Sequence, residues 1–158
     1  MQWVITDNLH FDRVASLWLV RHHIDPEARF SFVPIDAKLA ELTPDQLPQG
    51  ATPLAISGAA LSGHDENGPL FVKLLRAYKL DDPFLEVMGT IVSKGIASIM
   101  GTFKPAPDDW HGQIAVGLMA VANGVVQSSY SDPERMDICF PVWSAIYQQL
   151  AVKGGASI

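Results

Sequence analysis

The stretch QWVITDNLHFDRVASLWLVRHHIDPEARFSFV, residues 2–33, decides the fold. It opens with a short run rich in β-formers, Gln2–Thr6, and continues with apolar residues at helical spacing over residues 12–23. Pro26 disfavours helical backbone in the residue before it, so the helix ends there and residues 30–33 predict a second strand. The pattern therefore predicts a β-α-β unit, which usually places two parallel strands in one sheet.

The rest of the N-terminal half predicts a connector, a third strand and a loop. Residues 36–52 contain prolines and a glycine with enough helical propensity for about one turn, and residues 53–57 favour a strand. Residues 58–69, GAALSGHDENGP, combine three glycines with several turn formers. We expect this last segment to be a polar loop.

The C-terminal half is predicted to be helical throughout. Helices are expected over residues 70–78 and 83–100, and a third opens near residue 108. The last begins at residues 131–134, SDPE, with a capping side chain followed by proline, and Pro141 is expected to kink it. We predict the α/β class: a small, mostly parallel sheet from the N-terminal half packed with an all-helical C-terminal half, in one domain over residues 1–158 with a frayed tail at 154–158.

Composition limits the classes of function. The chain has 158 residues, 48% hydrophobic and 18% charged, which is typical of a globular domain that folds alone. Its net charge of -6 argues against nonspecific nucleic-acid binding, which needs clustered cationic side chains. The start of the chain lacks a signal-peptide pattern and no long apolar run follows, so we expect a cytoplasmic protein without a membrane partner. The single cysteine, Cys139, is expected in the core.

His10 and Asp12 are the first candidate site residues. They form an H-x-D pair where the first strand runs into the first helix, and an imidazole and a carboxylate there could share a divalent cation, manganese or zinc. His64, in the glycine loop, could add a second imidazole. The alternative is structural: Asp12 caps the first helix, His10 is solvated, and residues 63–66 form a polar turn.

Other polar residues are weaker candidates. Those that follow strands or could fold toward the same edge of the sheet are Asp7, Asp36, Asp65 and His111. His22 and His23 lie near the end of the first helix, where cations meet the helix dipole favourably, and a structural role is favoured for them. No phosphate-binding glycine motif, nucleophile elbow or C-x-x-C pair is present, so nucleotide-binding and nucleophilic-hydrolase functions receive no motif support.

Residues 12–34, DRVASLWLVRHHIDPEARFSFVP, resemble the opening of the ChrB C-terminal domain, D-R-[IV]-A-x-x-W-L-[IV]-R-x-x-I-D-P-x-A-x-F-x-F-V-P. A histidine two residues before the aspartate, like His10, and a later glycine-histidine loop similar to residues 63–68 belong to the same pattern. The resemblance implies this family's fold and a link to bacterial chromate resistance. The L-H-F-D segment at residues 9–12 also resembles the opening of manganese-dependent phosphoesterases of the DHH type.

The chain departs from the family pattern at three positions. Ala55 stands where the family tends to carry Asp before the glycine loop, and Ser93 and Ile96 stand where it tends to carry His and Asp. The resemblance therefore implies a reduced, mononuclear metal site of His10, Asp12 and His64 in place of a complete dinuclear one.

Three functions follow as expectations, and whether the chain is an enzyme is left open. The first is a metal-binding accessory protein related to chromate or oxidative-stress resistance. The second is a noncatalytic regulatory or ligand-binding module that lost the metal site and takes a small-molecule or anionic ligand. The third is a manganese-dependent, DHH-like phosphoesterase. The four tryptophans, Trp3, Trp18, Trp110 and Trp143, are expected in the core. An exposed one among them could instead mark the contact of a homodimer, which is a further expectation.

Overall fold

A computed structural model describes residues 1–152, so the tail predicted at 154–158 lies outside the described residues. The sheet is parallel and has the order β2-β1-β3. Its strands are β1 (Gln2–Thr6), β2 (Arg29–Val33) and β3 (Thr52–Leu54). The predicted α/β class and the parallel β-α-β start are confirmed.

β1 is the central strand, and its residues Trp3, Val4 and Ile5 are fully buried. A short apolar run without alternation is typical of a strand covered on both faces. β3 ends earlier than predicted because Ala55 adopts a positive φ of 54°, which turns the chain out of the sheet. The amide of Ala55 then donates to the carbonyl oxygen of Leu61 at 2.8 Å.

The first helix, α1 (Phe11–Leu19), continues into a π-helical segment, Val20–Ile24. This segment places His22 and His23 against Trp18, with ring centroids 5.3 and 5.2 Å away. Both histidines therefore have packing partners.

Four helices follow, as predicted. They are α2 (Leu70–Ala77), α3 (Pro83–Ile99), α4 (Trp110–Gln127) and α5 (Asp132–Val152). Aspartates cap two of them: Asp82 accepts the amides of Phe84 and Leu85, and Asp109 accepts that of Gly112. α5 continues as one helix through Pro141.

The main core joins α1 to the sheet and to the C-terminal helices. Trp3, Trp18 and Trp143 are buried in it, as is Cys139, which confirms the prediction for the cysteine. α3 approaches α1 closely, since a Cβ at Gly95 would overlap the Phe11 ring. No helix within residues 1–152 combines the length and apolar character needed to cross a membrane.

Candidate functional site

A cavity of about 290 Å³ opens at the carboxyl edge of the sheet. Thr6 ends β1, Ala55 follows β3 and Ile35 lies two residues beyond β2, and all three line the cavity. Ligands of open parallel sheets bind beyond the carboxyl ends of the strands, where successive connections leave in opposite directions. The order β2-β1-β3 creates that point between β1 and β3, so the cavity occupies the expected position for a ligand site.

The structure brings His10, Asp12 and His64 to the lining of this one cavity. His10 directly precedes α1, and its Nε2 lies 2.7 Å from Oδ1 of Asn123 on α4. His64 is exposed, and its imidazole forms no hydrogen bond to residues 1–152. The His64 ring is therefore the one of the two imidazoles with both nitrogens open to a ligand.

Asp12 is 7% exposed and holds the start of α2 in place. Its Oδ2 accepts the amide of Leu70 at 2.8 Å, and its Oδ1 accepts the amide of Phe71 at 3.1 Å and the hydroxyl of Ser16 at 3.3 Å. The alternative in which Asp12 caps its own helix is wrong: α1 begins at Phe11, and the carboxylate caps α2 instead. Burial raises the pKa of Asp12, although these hydrogen bonds and the nearby His64 oppose the rise.

Arg13 brings a cation to the same cavity. Its Nη1 donates to Thr6 Oγ1 at 3.0 Å and to the carbonyl oxygen of Asp7 at 2.9 Å. Burial lowers the pKa of Arg13, while the charges of Asp12, Asp132 and Asp7 oppose that shift. Both hydrogen bonds that Arg13 donates to the described residues use Nη1. Its Nη2 and Nε have no acceptor within residues 1–152, so a ligand could accept from them.

The loop that carries His10, residues 7–10 and here named the first loop, is fixed by the beginning of α5. Asp132 accepts the amides of Asn8 and Leu9 at 2.9 and 2.7 Å. Arg135, 9% exposed, donates to Asn8 Oδ1 at 2.8 Å. Because Asn8 has a positive φ of 55°, which Asn tolerates better than most residues, these contacts hold an unusual backbone conformation.

The other predicted candidates lie outside the lining of the cavity. Asp7 is half-buried next to Arg13, and Asp36 is exposed beside the lining residue Ile35. Asp65 forms an ion pair with Lys73 and lines a different groove. His111 packs against Trp110 in the first turn of α4, with ring centroids 5.4 Å apart.

Two of the three positions where the chain departs from the family pattern also line the cavity. Ala55 and Ile96 face it, whereas the Ser93 hydroxyl donates to the carbonyl oxygen of Gly89 at 2.8 Å. Within residues 1–152, no three His, Cys, Asp or Glu side chains are grouped so that they could hold a metal ion. At the two lining positions where the family pattern would place aspartates, this chain has Ala55 and Ile96.

Thr6, Arg13 and Ile35 line the cavity but were not among the predicted site residues. For Arg13 a signal was present, because a cation in the first turn of a helix opposes the helix dipole and calls for another reason to be there. Thr6 and Ile35 lie at or just past the ends of predicted strands, and ligands of parallel sheets bind beyond the carboxyl ends of the strands.

The comparisons with known proteins agree with the resemblance seen in the sequence. The family model described as "ChrB, C-terminal domain" matches residues 3–150, nearly the whole chain. Searches of the curated proteins and of the solved structures found no match. The family is associated with chromate resistance, and this coarse functional link applies to the chain. The matched range includes every residue that lines the cavity. Because the match covers nearly the whole chain, the chain belongs to the ChrB C-terminal domain family.

Proposed function

We propose that the chain is a noncatalytic ligand-binding module related to chromate resistance, and that its cavity takes a small oxyanion such as chromate. One observation carries the proposal: a cavity at the ligand-binding edge of a parallel sheet is lined by a guanidinium and two imidazoles, Arg13, His10 and His64. These are the donor groups that proteins use for oxyanions.

The charge balance of the lining supports an anion. Its carboxylate, Asp12, already accepts hydrogen bonds from two amides and a hydroxyl, and its burial works against the charged form. Within residues 1–152, Nη2 and Nε of Arg13 have no acceptor, so they can donate to a ligand. The planar guanidinium group also matches the geometry of an oxyanion. A cavity of about 290 Å³ lies near the lower end of ligand-site volumes and suits a small ligand.

The lining favours binding over chemical conversion. Cys139 is buried among α1, α4 and α5, near Phe11 and Trp143, and burial raises the pKa of its thiol. A thiolate that could reduce chromate is therefore not offered by the described residues of the cavity. This supports a module that senses or carries a ligand.

The test is calorimetric titration of the purified chain with chromate, molybdate, sulfate and phosphate. We expect saturable binding of at least one oxyanion, and a loss of about tenfold in affinity for His64→Ala, the cost of one charge-assisted hydrogen bond. His111→Ala is the matched control, because His111 lies outside the cavity lining and should leave the affinity unchanged. Absence of saturable binding, or an equal loss in both variants, would contradict the proposal.

Metal binding is the second candidate. The observation that favours it is that His10, Asp12 and His64 share one cavity and that His64 lies close enough to Asp12 to oppose the rise that burial causes in the pKa of Asp12. The fit is poor as the residues stand, since both Asp12 oxygens accept amide hydrogens and carboxylates are lacking at residues 55 and 96.

Elemental analysis of protein purified without an affinity tag, then reconstituted with manganese or zinc, tests this candidate. Stoichiometric metal that His64→Ala removes would favour it over the anion site. The double variant Ala55→Asp/Ile96→Asp, which adds two carboxylates to the lining, should bind more metal than the natural chain. Manganese-dependent cleavage of phosphodiesters by the natural chain would instead favour the DHH-like alternative.

A further inference from the structure

The second loop, residues 58–69, is built around a buried ammonium group. Lys73 on α2 is 8% exposed, and its Nζ donates to Gly63 O at 2.7 Å, Ser62 Oγ at 2.9 Å and Ser62 O at 3.4 Å. The same Nζ forms an ion pair with Asp65. A buried lysine is tolerated where its charge is paired and its hydrogens are accepted, and both conditions hold here.

The four acceptor atoms bracket His64 in sequence. Ser62 and Gly63 precede it and Asp65 follows it, so Lys73 binds the backbone before the histidine and the side chain of the residue after it. Asp65 is held in turn by the Ser62 hydroxyl at 2.7 Å and the Asn67 amide at 2.8 Å. The loop is rich in glycine and belongs to no helix or strand, so these bonds, together with a backbone bridge between Asp65 and Gly68, hold its conformation.

Lys73 does not line the cavity that His64 lines. It lies along a separate groove with Asp65, Asn67 and Arg76, so its influence on the cavity must pass through the loop. One helix therefore holds two site residues: the first amides of α2 bind Asp12, and Lys73, one turn further on, holds the loop of His64.

We infer that Lys73 is a positioning residue, which holds His64 at the cavity without touching the ligand. The inference rests on the proposed oxyanion site and adds a residue that was not among the predicted candidates. Removing the ammonium leaves the Ser62, Gly63 and Asp65 acceptors without their shared donor, so the loop loses its preferred conformation and His64 its fixed position.

The experiment is a double-mutant cycle between Lys73→Met and His64→Ala, with chromate titration as the readout. Each single variant should lower the affinity about tenfold, and the double variant should lose no more than His64→Ala alone. Lys94→Met is the matched control: Lys94 pairs with Asp109 at the start of α4 and should not couple to His64. Additive losses from Lys73→Met and His64→Ala, or wild-type affinity in folded Lys73→Met, would overturn the inference.

A second readout does not need a ligand. Amide hydrogen exchange over residues 58–69 should accelerate in Lys73→Met and stay at the wild-type rate in Lys94→Met. Asp65→Asn, at a partly exposed side chain, should accelerate the same amides less and keeps the test available if Lys73→Met does not fold. If no oxyanion binds the natural chain, the proposed function fails, while unchanged exchange in both Lys73→Met and Asp65→Asn would overturn the positioning role separately.

Discussion

The two loops that carry histidines to the cavity are held in opposite ways. The first loop is fixed by Asp132, which lies 124 residues beyond Asn8 in the sequence. The second is fixed by Lys73, 8 to 11 residues beyond the oxygens that it binds. The difference shows that one half of the site depends on the completed tertiary fold, whereas the other is a local unit of loop and helix.

The largest effect should come from breaking the first loop with Asp132→Ala. The change leaves the amides of Asn8 and Leu9 without an acceptor and removes an acceptor of the buried Arg135. We expect the free energy of unfolding to fall by about 2–4 kcal/mol, measured by urea denaturation. Glu134 lies in the same first turn of α5, but its carboxylate accepts from the amide and hydroxyl of Ser131. Glu134→Ala should therefore lower the free energy of unfolding by about 1 kcal/mol or less. Equal losses would mean that α5, and not the first loop, accounts for the effect.

An intermediate loss of stability is expected from breaking the hydrogen bond from Tyr147 to Asp82, which lies far from both loops. This change tests whether overall stability can fall while the second loop stays fixed. Tyr147 Oη donates to Asp82 Oδ2 at 2.7 Å and joins α5 to the start of α3. Tyr147→Phe should lower the free energy of unfolding by about 1 kcal/mol without changing hydrogen exchange in the second loop. Faster exchange there at equal measured stability would contradict the separation.

The pH dependence of this bond has a defined sign. The bond to Asp82 raises the pKa of Tyr147 to about 12. The stability that this bond contributes is therefore fully present below the ordinary pKa of tyrosine and is lost as pH rises through the raised pKa. Burial would raise the pKa of Asp82, but bonds from Tyr147 and two amides lower it overall, so stability from Asp82 is lost as pH falls through that lowered pKa. The stability difference between the natural chain and Tyr147→Phe should therefore be largest near neutral pH and shrink toward both extremes.

The smallest effect is expected from Ala55→Gly, at the entrance to the second loop. Ala55 has a positive φ of 54°, a conformation that costs most L-residues energy and glycine almost none. We expect the melting temperature to rise slightly, for a gain of about 0.5–1 kcal/mol. Ala60→Gly, at an exposed position of the same loop without a positive φ, should instead lower it. A loss at both positions would show that the side chain of Ala55 matters more than its backbone.

The sequence was enough to predict the sheet and the helices. It also named His10, Asp12 and His64, which line one cavity, but within residues 1–152 no three such side chains are grouped so that they could hold a metal ion. Each strand is a short apolar run that ends at turn-forming residues. The carboxyl ends of parallel strands lie at one edge of the sheet, so the residues that follow the strands are expected close together there. The partners of these residues were not predictable. Asp12 binds amides 58 and 59 residues away, and backbone donors have no signature in the sequence.

The early end of β3 and the role of Lys73 were missed for different reasons. An alanine at positive φ cannot be read from residue type, because glycine, asparagine or aspartate would be the usual signal. Lys73 occurs in an otherwise apolar stretch, LFVKLL at residues 70–75, at a position that faces the protein. A cation on the buried side of a predicted helix was the available sign that it has a partner.

The distance in sequence between Asn8 and Asp132 also sets the order in which the chain can mature during synthesis. β1 and α1 leave the ribosome before α5, and the first loop cannot be held until α5 has begun to emerge. The Lys73 unit can form long before that. A nascent chain that stops short of Asp132 would thus have the donor that holds the His64 loop, but the His10 loop would lack the Asp132 carboxylate that fixes it.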